Sequence, residues 1–318
     1  MAKLPPSHRM ELTINPTCFM INSIAMGDVI ASVPVIKYMI DNFYKDPATY
    51  LVIAEEMFRP FFHFVPDSCF HRFEDKANEW SIPPSFAVAA LNQPVVKSLT
   101  RPTPRHMSLG QFSAIKFANR ILEDKDLRYI PLIDVDVSRF GVDFSKAVIL
   151  VSSHRDATRA WHAESILETA AYIEKRGYIP VFIGKTDMNL DTHLVPKTYL
   201  PNDLNIGVDL RNHTTIPELA AIMKRSKAVC GIDSGPIHLA GTTDTTIICG
   251  YTSILPEHRI PVRTKGKTYS ILPDIPCIGC ESRWMSHFWN YEKCYLQHIE
   301  CCKEMKSNLF INYLAKTL

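Results

Sequence analysis

The sequence predicts an α/β protein with two units, each containing a parallel sheet. Short apolar runs typical of buried strands alternate with longer segments whose apolar residues recur every three or four positions, as in helices. The chain has 318 residues, more than one hydrophobic core usually holds, so two domains are expected. We predict a first domain of residues 1–145 and a second of residues 146–318.

The alternation begins with a strand, CFMINSI, then a helix, GDVIASVPVIKYMIDNF, and a second strand, TYLVIAEE. A further helix, SLGQFSAIKFANRILED, follows a proline-rich stretch. In the second domain the predicted strands are AVILVSS, YIPVFIG, AVCGID and TTIICGY. Its predicted helices are AESILETAAYIEKRG, TIPELAAIMKRS and PIHLAGT. Strands separated by helices in this way form parallel sheets.

Composition narrows the class of protein. The chain is 46% hydrophobic and 21% charged, which is ordinary for a soluble globular protein. The N-terminal stretch lacks the apolar segment of a signal peptide, and no run approaches the ~18 apolar residues of a membrane span. We therefore expect a cytoplasmic protein without a transmembrane segment, with peripheral association at the inner membrane surface as a further option.

Two familiar phosphate-binding patterns fail. The first strand-to-helix turn, NSIAMGDV, carries one glycine instead of the G-x-G-x-x-G of dinucleotide-binding folds. The GKT at 184–186 lacks the glycine that a P-loop needs five positions earlier, where Ile179 stands. Both observations argue against a Rossmann dehydrogenase or a P-loop ATPase.

The segment VCGIDSGPIHLAG, residues 229–241, indicates an anion site. A strand ends here and a helix begins at Gly235 or Pro236, whose N-terminus would offer free N–H groups and the positive end of the helix dipole. Ser234 would cap this helix or bond a phosphate oxygen. The anionic Asp233 suits a ribose hydroxyl or a neighbouring basic group. A capped turn without a ligand is the alternative.

A second segment, VSSHRDATRAWHAES (151–165), also follows a strand and precedes a helix. It offers hydroxyls at Ser152 and Ser153 and cations at Arg155 and Arg159. Two hydroxyls and two arginines at one strand end suit an anionic ligand. An exposed charged loop is the alternative.

Three segments together resemble one family. SIAMGDVIASVPVIKYM, VSSHRDATRAWHAES and TTIPELAAIMKRSKAVCGIDSGPIHLAG occur in the order and spacing of the heptosyltransferases of glycosyltransferase family 9, which act from ADP-heptose onto lipopolysaccharide core. The resemblance covers most of residues 17–260, and the D-S-G-P-x-H-L-A string is its most specific part. It implies the GT-B architecture, with an acceptor domain and a nucleotide-sugar domain facing each other across a cleft. We further expect the C-terminal helix to pack back on the first domain.

The resemblance also implies roles for single residues. Asp28 matches the proposed catalytic base, although from the residues alone it reads as the N-cap of the helix that follows. Arg159, before Trp161, matches the basic residue that binds the donor diphosphate. The predicted donor-binding residues are Ser152, Ser153, Arg155, Arg159, Asp233, Ser234, Gly235, Pro236 and His238. Asn22 and Lys185 depart from the family pattern, which leaves the sugar, the base and the acceptor open.

The implied function is inverting transfer of a sugar from a nucleotide sugar to a hydroxyl of a phosphate-bearing acceptor, such as lipopolysaccharide core. Transfer through an oxocarbenium-like transition state needs a base for the acceptor proton and positive groups for the departing diphosphate. These groups leave no need for a catalytic metal.

The acceptor is indicated by charge. Between Trp80 and Leu122 there is no acidic residue but there are five basic ones, within a first half whose charges balance. These predicted acceptor-binding residues are Lys97, Arg101, Arg105, Lys116 and Arg120. A glycolipid phosphate would fit them, and so would DNA bound by a bacteriophage-type enzyme that modifies hydroxymethylated bases. A solvated basic face and a non-catalytic nucleic-acid-binding protein with a metal knuckle are the alternatives.

Five of the nine cysteines lie between residues 277 and 302. In a reducing compartment such a cluster indicates a metal rather than disulfides. A C-x2-C pair can place two thiolates on one ion, and two more complete a closed tetrahedral, structural site. The predicted ligands are Cys277, Cys280, Cys294 and Cys301, with His287, His298 or Cys302 as replacements for one of them. Zn2+ is the predicted ion and iron the alternative, because some heptosyltransferase relatives hold iron in a cysteine finger. Free thiols in a loop are the third option.

Overall fold

A computed structural model describes residues 17–22, 25–72, 96–100, 107–153, 157–186, 200–283, 294 and 299–318. Within them the chain forms two sheets, and every described strand pair is parallel. The predicted α/β class is confirmed.

The first sheet has the strand order β3-β2-β1-β4. Its strands are β1 (Thr17–Asn22), β2 (Tyr50–Ala54), β3 (Phe70–Arg72) and β4 (Val96–Thr100). The sequence predicted β1 and β2, which are apolar runs. It missed β3, which has only three residues, and β4, whose VKSLT sequence shows neither an apolar run nor a clear alternation.

The second sheet has the order β10-β9-β8-β5-β6-β7. Its strands are β5 (Ala147–Val151), β6 (Ile179–Ile183), β7 (Val208–Asp209), β8 (Ala228–Ile232), β9 (Thr246–Gly250) and β10 (Thr268–Ile271). From β5 the chain first builds the sheet in one direction and then returns to build it in the other. The strand order therefore reverses between β5 and β8, and ligands of open parallel sheets bind at the carboxyl ends of the strands at such a point.

Helices connect the strands. They are α1 (Met26–Phe43), α2 (Leu109–Ala118), α3 (Ala163–Lys175), α4 (Ile216–Arg225), α5 (Gly235–Ala240), α6 (Pro256–Arg259), α7 (Cys280–Arg283), α8 (Glu300–Lys303) and α9 (Ser307–Leu314). Helix α4 starts with a capping box between Thr215 and Glu218. Helix α2 ends before its predicted end because Asn119 adopts a left-handed conformation, with φ 54°. Among the described helices, none combines the length and apolarity that a membrane span needs.

One apolar cluster joins the two sheets. A single cluster of buried side chains runs from Phe19 and Val52 in the first sheet to Ile149 and Val229 in the second. The start of α1 also packs against α5. This contact brings the turn between β1 and α1 against the turn between β8 and α5.

The C-terminal helix α9 packs on the second sheet. Phe310 stacks on Trp161 with ring centroids 4.0 Å apart, and Tyr269 contacts Tyr313. Ser307 donates a hydrogen bond to Glu168 on α3. The helix was expected to pack back on the first domain, but its apolar face is taken up by α3, β9 and β10.

Candidate active site

The predicted donor residues meet where the strand order reverses. β5 leads into Ser152 and Ser153, and β8 leads into Asp233 and Ser234. Since β5 and β8 are neighbours in a parallel sheet, both segments lie at the same edge. A short 3-10 helix, Ala157–Arg159, follows β5 and carries Arg159 to Asp233. Arg155 lies outside the described residues.

Asp233 is the buried centre of this group. Only 2% of the residue is exposed, while the Arg159 guanidinium donates to its Oδ2 over 3.4 Å and the His238 Nε2 atom lies 3.5 Å from its Oδ1. Burial by itself raises the pKa of Asp233, but the contacts with His238 and Arg159, with a smaller effect of Arg259, hold that pKa well below its usual range. The carboxylate is therefore ionised, and it pairs with a basic group, one of the two partners that the sequence indicated.

Tyr129 completes a chain of buried polar side chains. Its hydroxyl lies 2.8 Å from Nδ1 of His238, and its backbone N–H donates to Val262. A neutral His238 that presents its Nε2–H to Asp233 accepts the Tyr129 hydroxyl hydrogen at Nδ1, whereas a protonated ring donates from both nitrogens. Burial raises the pKa of the Tyr129 hydroxyl; Arg259 lowers that pKa, and Asp233 and Asp28 raise it further. The charges of both acids therefore act at one hydroxyl.

Asp28 lies in the first turn of α1 and is 8% exposed. The N-cap of α1 is Ala25, so the interpretation of Asp28 as an N-cap is wrong. An acidic group in the first turn is favoured by the helix dipole. Its backbone carbonyl accepts a hydrogen bond from Ser32 on the next turn.

Two motif glycines allow the units to approach each other here. A Cβ atom on Gly27 would lie 2.7 Å from Cδ2 of His238, and one on Gly235 would lie 2.9 Å from Cβ of Met26. Real Cβ atoms essentially never come this close, so any side chain at either position would push α1 and α5 apart. The glycines of M-G-D and D-S-G-P thus bring Asp28 to the group around Asp233.

The serines differ in role. Ser234 takes the N-cap position of α5 in the backbone, but its side chain makes no cap hydrogen bond. Its Oγ is buried and has no hydrogen-bond partner within the described part of the chain. In contrast, the Ser152 hydroxyl donates to the carbonyl of Ile183, which ties the ends of β5 and β6 together. Ser153 lies against Gly184, where a side chain would collide with it.

Sequence reasoning missed Arg259. This residue is 4% exposed, and its guanidinium donates to the carbonyls of Met107 and His258. Its charge acts on both Asp233 and Tyr129. Neither Arg259 nor Tyr129 belongs to a recognisable motif, and Tyr129 contacts a residue 109 positions away, so no local pattern pointed to them.

The predicted acceptor residues are not all brought to this site. The Arg120 guanidinium lies over the ring of Phe43, 5.8 Å from its centroid, at the last residue of α1. Fifteen residues of helix rise about 22 Å, so Phe43 lies far from Asp28. Lys116 lies over the ring of Phe112 on α2, Lys97 is on β4, and Arg101 and Arg105 are outside the described residues.

The cysteine-rich segment packs beside the Arg159 loop. Cys301 and Cys302 are buried in one cluster with Ala160 and Ile299, and Cys294 packs against this cluster. Burial raises the pKa of Cys277, and the charges of Cys301 and Cys294 raise it further, so these thiols are neighbours. Across the described residues, however, no three His, Cys, Asp or Glu side chains are arranged to hold a metal ion. The structure does not show the predicted zinc site, and the metal stays a prediction.

Comparison with protein families identifies part of the chain. Residues 130–284 match the sequence model described as glycosyltransferase family 9 (heptosyltransferase). This part of the chain is a family 9 domain. It includes strands β5 to β10 and, of the residues around Asp233, it contains Arg159, His238 and Arg259. Tyr129 lies just before its first residue. The protein is therefore a glycosyltransferase, and the non-catalytic alternative is not supported.

Solved structures share the fold of this chain. The iron-containing dodecameric glycosyltransferase TibC from enterotoxigenic E. coli H10407 has a TM-score of 0.65 and 12% identity, over 96% of this chain and 77% of that chain. E. coli ADP-heptose LPS heptosyltransferase II has a TM-score of 0.60 and 12% identity, over 95% and 98%. A family 9 glycosyl transferase from Veillonella parvula DSM 2008 has a TM-score of 0.55 and 14% identity, over 82% and 87%. No curated protein matches in sequence.

The GT-B prediction is confirmed by these folds. At these identities the likeness shows the architecture but not the substrates of this glycosyltransferase.

Proposed function

We propose that the protein transfers a sugar from a nucleoside diphosphate sugar to a hydroxyl of a phosphate-bearing acceptor, with inversion at the anomeric carbon. The observation that supports this most is the meeting of Asp28 with the Asp233 group at the glycine-lined contact between α1 and α5. A single displacement needs a base on the acceptor side and a cation on the leaving-group side. Asp28 and Arg159 are candidates for these two roles on the two units.

In the proposed step an acceptor hydroxyl oxygen bonds to the anomeric carbon as the bond from that carbon to the diphosphate oxygen breaks. Asp28 takes the hydroxyl proton, and the electron pair of the broken bond stays on the nucleoside diphosphate. Arg159, whose side chain is 24% exposed beside the buried Asp233, faces the charge that develops there. The buried hydroxyl of Ser234 is a candidate donor to a phosphate oxygen.

An ADP-sugar of the heptose type is the proposed donor. A TibC structure was solved in complex with ADP-D-β-D-heptose, and that protein has a TM-score of 0.67 and 12% identity to this chain. The family model is that of heptosyltransferases. Both point to ADP rather than UDP or GDP as the first nucleotide to test.

The proposed acceptor is a lipopolysaccharide-core type glycolipid. The support is the run of basic residues between Trp80 and Leu122. Arg120 no longer belongs to the proposed acceptor site, because it lies at the end of α1 opposite Asp28. DNA was the alternative acceptor, but no described contact favours it over a glycolipid phosphate.

We expect turnover of an ADP-sugar by the purified protein with EDTA present, because the proposed leaving-group charge is met by Arg159 and not by a metal. A panel of ADP-, UDP- and GDP-sugars is assayed for donor consumption, and the anomeric configuration of the product is read by NMR. A retained configuration would contradict the single displacement. If none of these nucleotide sugars binds in calorimetry, the whole proposal is wrong.

We also propose that Cys277, Cys280, Cys294 and Cys301 bind one structural metal ion, Zn2+ or iron. Four thiols are a donor set that suits either ion. The charges of Cys277 and Cys301 both raise the pKa of Cys280, so these three thiols lie near one another. TibC is an iron-containing relative by fold. Such an ion would hold residues 277–302 together without touching substrate.

Replacing Cys277 by Ser is expected to remove the metal and lower the thermal midpoint, with activity falling as a consequence. Metal is counted by elemental analysis of protein purified without chelators. Cys69→Ser, a buried single cysteine of the first unit, is the control and should keep its metal. A wild-type content below about a tenth of an equivalent, with five free thiols in the segment, would mean that the site does not exist.

A further inference from the structure

Thr158 precedes Arg159, and its backbone and side chain form hydrogen bonds with the cysteine-rich segment and with the residues that follow β9. Thr158 is 6% exposed, and its hydroxyl lies 3.3 Å from Oε1 of Glu281, which follows Cys280. The same hydroxyl lies 3.3 Å from Oγ of Ser253. Since the carboxylate can only accept, Thr158 donates to Glu281 and accepts from Ser253.

The carbonyl of Thr158 is held as well. It accepts a hydrogen bond of 2.6 Å from the Thr252 hydroxyl and a longer one, 3.9 Å, from the Cys301 thiol. On the other side of Arg159, Ala160 is fully buried against Ile299 and the cysteines of α8. Both neighbours of Arg159 in the chain are therefore fixed by the cysteine-rich segment or by residues bonded to it.

The knuckle is itself anchored to the strand end beside the site. The backbone N–H groups of Gly279 and Glu281 donate to the carbonyls of Thr252 and Ser253, which follow β9. The hydrogen bonds thus run from the sheet edge through residues 279–281 to Thr158. Between these two fixed residues, the side chain of Arg159 extends to Asp233.

We propose that Thr158 is a positioning residue for Arg159, and that the cysteine-rich segment sets the affinity for a nucleoside diphosphate through this contact. The inference rests on the proposed donor role of Arg159. An arginine on a loose loop must be ordered when the ligand binds, which costs affinity, whereas a loop already fixed by Thr158 and Glu281 avoids that cost. The cysteine-rich segment is then part of the donor site and not only a stabilising attachment.

The test uses ADP as the probe in titration calorimetry on the full-length protein. Thr158→Val removes the hydroxyl at nearly constant volume, and we expect ADP binding to weaken about fivefold, the effect of one long side chain that must be ordered on binding. Thr158→Ser keeps the hydroxyl and should restore affinity. Thr169→Val, a buried threonine of α3 whose hydroxyl bonds only within its own helix in the described contacts, is the matched control and should bind ADP as the wild type does.

A double-mutant cycle separates positioning from general destabilisation. If Thr158 acts through Arg159, Thr158→Val should change ADP affinity less than twofold in an Arg159→Ala background (about the error of such cycles). An equal loss in both backgrounds would overturn the proposal. If Thr158→Val does not fold, Glu281→Ala against Glu281→Gln gives the same comparison, because the amide oxygen of Gln can still accept from Thr158.

The outcome also distinguishes this inference from the proposed function. If the wild type binds no nucleotide, the donor site itself is absent. If the wild type binds ADP and Thr158→Val binds it equally well, the donor site stands and the positioning role is wrong.

Discussion

Asp28→Asn is expected to abolish transfer while leaving nucleotide binding nearly intact. The substitution removes the proposed base but no donor contact, so kcat should fall by about 10²–10⁴-fold, the usual contribution of a general base. The dissociation constant for ADP should stay within about twofold, because Asp28 lies on α1 in the first unit. Initial rates at saturating donor and calorimetry with ADP provide the two measurements.

The control for this variant lies on the same helix. Asp41→Asn changes an exposed carboxylate of α1 that pairs with Lys37, and it should keep full activity. Loss of the first-turn charge at the buried Asp28 costs up to about 2 kcal/mol through the helix dipole, so thermal unfolding of both variants is measured beside their activity. Wild-type rates in Asp28→Asn would leave Asp28 as a residue that only supports the start of α1.

Arg159→Ala is expected to damage both binding and turnover. Loss of a charge-assisted contact to the diphosphate should weaken ADP binding by about 2 kcal/mol or more, roughly thirtyfold. Turnover should fall as well, since the same cation meets the charge that develops as the diphosphate departs. Arg159→Lys should recover only part of the affinity, because an ammonium group lacks the planar fork of the guanidinium. Unchanged ADP affinity in Arg159→Ala would remove this residue from the donor site.

The same variant should lose less stability in acid than the wild type does. In the wild type the pKa of Asp233 is held below its usual range, so its stabilising effect is present above the ordinary carboxyl pKa and is lost only as pH falls through the lowered value. Without Arg159 the pKa of Asp233 rises, although His238 still lowers it, so the folded variant binds the proton at a higher pH and less of its stability depends on the charge. Urea unfolding between pH 4 and pH 7 should therefore show a stability gap between wild type and variant that narrows toward low pH. A constant gap would mean that Asp233 does not depend on Arg159 for its charge.

The position of the motifs at strand ends could be predicted from the sequence because it is a local property. Asp233 and Ser234 end β8, Ser152 ends β5, and a parallel sheet brings such ends to one edge whatever the rest of the chain does. The strand order reverses between these two strands, among the six described in the second sheet, which makes their ends the candidate ligand site. The cysteine spacing predicted a metal site, but spacing alone does not place four thiols around one ion.

Other features depended on contacts that no local pattern carries. Arg120 belongs to a basic run that suggested an acceptor site, yet the direction of α2 carries it to the end of α1 opposite Asp28. Tyr129 lies in an irregular stretch, and it belongs to the candidate site only because its hydroxyl forms a hydrogen bond with His238. Charge counted along the sequence contains no information about which end of a helix a basic residue will lie near.

The sequence by itself determined the α/β class, the family 9 motifs and the candidate roles of Asp28 and Arg159. These follow from periodicity and from short strings whose chemistry is local. Only the tertiary structure decided that Gly27 and Gly235 let α1 and α5 touch, that Tyr129 and Arg259 surround Asp233, and that Thr158 joins the cysteine-rich segment to Arg159. Each of these contacts joins residues far apart in the chain, and packing and hydrogen bonding select them only once both sheets have formed.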